Sequence, residues 1–355
     1  MGNNLGNKYF SLKSVQPYKD YGIFGPDSVT WKVFRHPTSF SVGFQRTVVT
    51  EMFEPFLLAS VSDTGAVKDR PAARYDRTLQ YVSTVAFADS ETIVKSADTL
   101  MKIHSHIRGV EPISGGFYDA NSPEAQLWIH LTQWHSVLFT YEMFGPGKLT
   151  PEEEDQYWAE CRTAAKFQSI DLNTVPRNRQ EMREYYARIR PKLAATETTQ
   201  DTVHHLLNAS AFLMDDLPKN LKPFGFIAKF AFRKATIATL PHWLRRMGGI
   251  RQSPIEDIAI TWFMKAMFKL ATIMPEKELL KTVRSISPGA ARVVAPIVLE
   301  LKPNNPVVLS PEDAWKNAKR PMPLEQYEQL KAERPETPTQ SAPKDPGVEN
   351  LLKLA

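Results

Sequence analysis

At 355 residues the chain has room for one large domain or two ordinary ones, and 42% hydrophobic against 23% charged residues suits a globular protein with a real core. A net charge of +5, with no dense Lys/Arg stripe interleaved with stacking aromatics, argues against nucleic acid as a partner. The single cysteine, Cys161, rules out a disulfide within the chain, an iron–sulfur cluster and a Cys-rich zinc site; no C-x-x-C-H is present to attach a haem covalently.

Residues 1–24 read as an arm without a core of its own. The opening MGNNLGNKYFSLKSVQPYKDYG lacks the basic-then-apolar layout of a secretory signal. No run reaches the roughly 18 apolar residues of a membrane span. The expectation is a cytoplasmic protein, with peripheral membrane contact left open. From 25 to 302 apolar residues recur at three- and four-residue steps between proline and glycine turns, which predicts an all-α fold with a single large multi-helix domain. Gly-rich phosphate loops and repeats of 20 to 50 residues are both missing.

The first helix with chemistry on it runs from Arg74 through Leu79, Val82, Val85 and Ala86. Arg74 and Thr78 are four apart and share a face beside its apolar stripe. A buried guanidinium needs an anionic partner. Arg74 is therefore either a surface residue paired with Asp76 or Glu54, or the partner of an anion such as a haem propionate. The next helix, SETIVKSADTLMKIHSHIRG from 90 to 109, is expected to be capped by Ser90 with Glu91 in its first turn. Advancing about 100° per residue puts Ile93, Ala97, Leu100, His104 and Ile107 on one stripe. His106 lies about 200° away from His104, so the two rings cannot chelate one ion while the helix persists. His104 is the inward one, as a hydrogen-bonded core residue or as a ligand.

A third helix begins at Ser122, with Pro123 in its first turn and Glu124 after it. Leu127, Leu131, Trp134, Leu138 and Tyr141 form its core stripe, with His130 on the flank. His130 and His135 are five apart, a poor chelating spacing, and the paired Glu-x-x-His pattern of a di-iron site is absent. Thr150, Pro151 and Glu152 to Glu154 announce another helix start. In 219–249 Lys and Arg alternate with Phe, Ile and Trp, the pattern of either a core helix with solvated lysines or a basic amphipathic segment for a membrane surface. The Pro-rich, charged segment 303–355 is expected to be extended or disordered, with a short helix near 324–333.

Eight stretches occur in an order that resembles a known family: GPDSVTWKV, EPFLLASV, RYDRT, IHSHIRG, SPEAQLWIH, YEMFG, LTPEEEDQYWAE and ATLPHWLRRMGG. This family joins the latex-clearing rubber oxygenases to the fungal oxygenase of mycophenolic acid biosynthesis, and the resemblance runs from about 22 to 295. It implies an all-α fold wrapped around a non-covalent b-type haem in an apolar pocket, and O2-dependent cleavage of carbon–carbon double bonds in isoprenoid chains. The family's H-x-x-[VI]-x-G pattern falls on His104 and Gly109, making His104 the implied iron ligand. Its Arg-x-x-x-Thr pattern falls on Arg74 and Thr78, which would line the haem pocket. Arg77 stands where rubber oxygenases carry a lysine able to coordinate iron, which a guanidinium cannot do. Glu54, or else Glu51, stands near the place of their distal carboxylate base.

The expected cofactor contacts are thus His104, Arg74, Thr78, Arg77 and His130, with Glu54, Arg74 and Thr78 at the reacting centre. The expected activity is a haem b oxygenase using O2 on an apolar, unsaturated isoprenoid- or lipid-like molecule. Polyisoprene is not expected, because rubber oxygenases are exported. The rival readings are a helical protein that binds lipid or a partner at a membrane surface, and a haem protein serving sensing or peroxidase chemistry.

Overall fold

The computed structural model describes residues 14–65, 71–209 and 222–334. Its elements begin with α1 (Val29–Phe34), a π-helical turn at Ser39–Gly43, α2 (Phe44–Glu51), α3 (Pro55–Thr64), α4 (Pro71–Phe87) and α5 (Ser90–His104). A hairpin of β1 (Arg108–Val110) and β2 (Phe117–Asp119) is the one sheet among the described residues. There follow α6 (Pro123–Phe144), α7 (Pro151–Ala165), α8 (Arg179–Ile189), α9 (Glu197–Ala209) and α10 (Lys222–Thr239). The last are α11 (His242–Met247), α12 (Pro254–Ile273), α13 (Glu276–Ile286), α14 (Pro288–Val298), α15 (Pro311–Asn317) and α16 (Pro323–Ala332). The molecule is mostly helical, as the periodicity predicts.

Helix α6 is the hub. Ser122 caps it by accepting from the Ala125 amide at 3.2 Å, with Pro123 in the first turn. Its predicted stripe is buried, but so are Gln126, His130, Thr132, Ser136 and Thr140. A helix enclosed on all sides must satisfy its polar groups internally. Thr132 and Thr140 do so by donating to the carbonyls of Trp128 (2.8 Å) and Ser136 (3.0 Å). Helix α2 and the π turn lie directly on α6. Their close approach depends on Gly43, where a Cβ would stand 2.8 Å from Thr140 Oγ1. This contact sets the height of α2 over α6, and so the width of the space beside them.

Helix α5 begins one residue earlier in function than the sequence suggests. Asp89, not Ser90, is its N-cap, accepting from the Thr92 amide at 2.8 Å. Ser90 is the first helical residue, and its hydroxyl donates to Asp20 at 2.6 Å. The helix also stops at His104 rather than running to 109. Beyond it, the amide of Ala120 donates to the Ile107 carbonyl (3.0 Å), and β1 pairs with β2 in the register Arg108–Asp119, Gly109–Tyr118, Val110–Phe117. The ladder takes the backbone groups that a continuing helix would need. Gly109 is required there because the Tyr118 ring occupies the place of a Cβ.

At the start of α7, Thr150 and Glu153 form a reciprocal capping box. Arg179, at the start of α8, ties three helices together by pairing with Glu142 of α6 at 2.6 Å and Glu154 of α7 at 2.7 Å. The segment from 303, expected to be extended or disordered with one short helix, runs without helix or strand to Ser310 and then adds α15 to the expected α16. Tyr21 and Leu309 amides donate to Val307 and Gly22 carbonyls, each at 2.9 Å, so the arm and the C-terminal segment run together. Trp315 of α15 is 2% exposed and stacks on Phe167 at 5.9 Å. The short helix expected near 324–333 is α16. Residues 335–355, 1–13 and 219–221 lie outside the described residues.

Candidate active site

Between α2, α3, α4, α5 and the N-terminal half of α6 lies a cavity of about 450 Å³. That is within the roughly 300–1,000 Å³ of ordinary small-molecule sites. Its walls are largely apolar, with Val48, Leu57, Val61, Leu100, Ile103 and Ile129 among them. Its polar lining includes Glu51, Arg74, Arg77, Thr78, His104, and the amides of Gln126, Gln133 and Gln168, with Thr47, Thr64, Tyr75, Tyr81 and His106 also at its wall.

His104 is the last residue of α5, and the stripe predicted from Ile93 through Leu100 leads to it. The ring is enclosed by protein, and the surface it retains belongs to the cavity wall. Burial first, and the nearby Arg74 charge second, push its pKa down to about 4. At neutral pH the imidazole is therefore uncharged, the form that can donate a lone pair to a metal. Gln126 Nε2 donates to the Ala120 carbonyl at 2.5 Å and lies 3.2 Å from His104 Nδ1, while Gln168 Nε2 donates to Gln126 Oε1 at 3.2 Å. His106 is exposed at the rim, in the turn after the helix.

Arg74 and Thr78 both face the cavity, as their i, i+4 spacing requires, and Arg77 joins them. Of the two partners the sequence offers Arg74, Asp76 instead accepts from the Ser287 hydroxyl at 2.5 Å and the Gly289 amide at 2.8 Å. The Arg74 charge acts on the cavity groups: it lowers the pKa of both His104 and Glu51.

Two expected site residues lie elsewhere. The Glu54 carboxylate is the N-cap of α3, accepting from the Leu57 amide at 2.7 Å ahead of Pro55, and it does not line the cavity. His130 is buried within the core, where Nε2 sits 2.9 Å from the Cys161 carbonyl; it too is absent from the cavity wall. Facing inward and facing the cavity are different properties, and periodicity reports only the first.

The carboxyl that does reach the cavity is Glu51. Burial raises its pKa to about 8 against the opposing pull of a Thr132 hydrogen bond and the Arg74 charge. Thr132 Oγ1, whose hydroxyl is shared with the Trp128 carbonyl, lies 3.3 Å from Oε1. The signal was present in the sequence of α2: Phe44, Thr47, Val48 and Glu51 follow the i, i+3, i+4, i+7 rule and all line the cavity. The adjacent Glu-Pro pair draws attention to Glu54, yet an acidic residue just before a helix-opening proline is first of all a cap.

Among the described residues, no three His, Cys, Asp or Glu side chains come together to hold a metal ion. The chain matches the family model described as "ER-bound oxygenase mpaB/B'/Rubber oxygenase, catalytic domain" over residues 31–269. No curated protein and no solved structure matches it significantly.

Proposed function

The chain belongs to the mpaB/rubber oxygenase catalytic-domain family, and on that premise we propose that it is a haem b-dependent oxygenase that uses O2 to attack an unsaturated, apolar molecule in the cavity beside His104. One observation carries the proposal: an uncharged buried imidazole, a guanidinium and a carboxyl of raised pKa share a single apolar cavity. These residues suit a haem in kind. His104 would offer a nitrogen to the iron, Arg74 and Arg77 would offer cations to the carboxylates of the group, and the aliphatic walls would meet its apolar body.

When bound, the haem would supply the iron and the redox capacity for activating O2. The protein's own residues do the rest. His104 stays neutral and so would be able to ligate the iron through the physiological range. Arg77 cannot compete for the iron, since a guanidinium has no free lone pair. Glu51, with its pKa near 8, can give or take a proton at neutral pH, and Thr132 steadies one of its oxygens for that transfer. Val48, Val61 and Leu100 keep water from the reacting carbon atoms. An isoprenoid or other lipid-like chain with a double bond is the substrate class such walls accept.

The test is spectroscopic. Protein purified from haem-supplemented cells is expected to show a Soret band that His104→Ala removes with helicity unchanged. A colourless wild-type protein with full helical content would defeat the proposal.

A further inference from the structure

A second feature lies against the C-terminal end of α6, whose N-terminal half borders the cavity. Helix α12, PIEDIAITWFMKAMFKLATI, is apolar nearly all the way round. Ile260, Met264 and Phe268, at four-residue steps, are buried against Val42, Phe144 and Ala235. The opposite face stands in solvent: Ile255 is 78% exposed, Trp262 69% and Ile273 73%, with Ile258, Phe263 and Leu270 between them. Ile227 and Phe230 of α10, which packs on α12, are exposed as well. The basic stretch singled out in the sequence, 219–249, turns most of its described apolar side chains inward instead, as Ala231, Ala235, Ile237, Leu240 and Leu244 show. A continuous apolar face of this extent on a folded protein marks a contact surface.

Charge decides what covers it. The carboxylates along α12 and the start of α13 are already neutralised within the molecule. Glu256 pairs with Lys234 at 2.6 Å, Asp257 with Arg245 at 2.7 Å, Glu276 with Arg35 at 2.6 Å and Glu278 with Lys281 at 2.6 Å. Lys265 and Lys269, four apart on one edge of the apolar face, are exposed and form no ion pair among the described residues. The Lys265 ammonium lies 5.5 Å from the Trp262 ring centre. A second copy docked by two-fold symmetry would bring matching lysines towards each other on a desolvated surface. An anionic bilayer would neutralise them while their stems cover apolar area. Among the described residues no single helix is long and apolar enough to cross a membrane, and α12 and α13 meet at 117° across Met274–Pro275.

We propose that α12 lies in the headgroup region of an anionic membrane, with Trp262, Ile258 and Leu270 in the acyl boundary and Lys265 and Lys269 at the phosphates. The haem-free protein is expected to bind equally well, so the outcome is independent of the cofactor assignment. The full chain is sedimented with vesicles of phosphatidylcholine alone and of phosphatidylcholine with phosphatidylserine. It is expected to pellet with the anionic vesicles and to be released by salt. The double variant Lys265→Gln, Lys269→Gln should bind about thirtyfold more weakly, roughly a factor of five per charge. Ile258→Glu with Trp262→Glu should abolish pelleting, with helicity retained because neither side chain is in the core. The proposal is overturned if the wild type pellets with neither vesicle, or if these variants pellet undiminished. It is also overturned if a dimer in vesicle-free solution is made monomeric by Trp262→Glu, which assigns the face to a second copy.

Discussion

Glu51 and His104 face one cavity with their pKa values pushed in opposite directions, and each leaves a separate mark on stability. Glu51 is protonated in both folded and unfolded chains below its ordinary value of 4.5, so its contribution is complete there. As pH rises towards about 8 the unfolded carboxyl ionises and the buried one does not, so stability is lost across that window. Glu51→Gln should remove this loss: its melting temperature relative to wild type rises between pH 5 and pH 8. His104 behaves in reverse, because below its ordinary value of 6.5 the unfolded ring takes a proton that the buried ring refuses until about 4. Gln126 governs the same imidazole. Its amide group lies 3.2 Å from Nδ1, with donor and acceptor set by the tautomer of the ring. A ring that ligates through Nε2 would need an acceptor at Nδ1. Gln126→Glu should therefore tighten haem binding, and Gln126→Leu should weaken it by about 10- to 100-fold, both read by haem titration.

At the scale of elements, the site depends on where helices start and stop. Helix α5 ends at His104 because the hairpin claims the next backbone groups, and that ending holds the imidazole at the cavity while His106 turns out to the rim. The floor of the same region is held from outside. Helix α15 lies on α5 and carries Trp315, stacked on Phe167 in the loop after α7, while Arg320 pairs with Asp98 of α5 at 2.8 Å. Trp315→Ala should cost about 3–5 kcal/mol, the range for truncating a fully buried aromatic, measured as a drop in the urea midpoint. A surface-like cost below about 0.5 kcal/mol would show that the C-terminal segment is not part of the folded unit.

For the molecule as a whole, one buried hub, α6, has the cavity along its first half and the α12 packing at its far end. A cavity of about 450 Å³ removes packing partners from every side chain around it, so its filling should be felt globally. Haem at about 100 times its dissociation constant should stabilise the native state by about 2.7 kcal/mol. The resulting rise in melting temperature is expected for wild type and should vanish in His104→Ala. An equal rise in both proteins would locate haem binding elsewhere.

What the sequence determined unaided is local and periodic. The caps at Ser122 and Thr150, the inward stripe of α5 ending on His104 and the shared face of Arg74 and Thr78 all follow from spacing along a single helix axis. The eight ordered stretches likewise pointed to the family that the match over 31–269 shows. Spacing cannot say what an inward face meets, because that depends on how several helices cross. His130, which the wheel sets on the flank of the core stripe, is buried, but against the Cys161 carbonyl rather than at the cavity. Glu51 and Glu54 are three apart at a helix junction, and only the seating of α2 on α6 puts the first at the cavity and leaves the second capping α3. Composition marked the segment from 303 as extended or disordered; among the described residues, as far as 334, it is held to the main domain by burying Trp315 against Phe167. Tertiary structure decided these points because burial belongs to the space between elements, and no single element contains it.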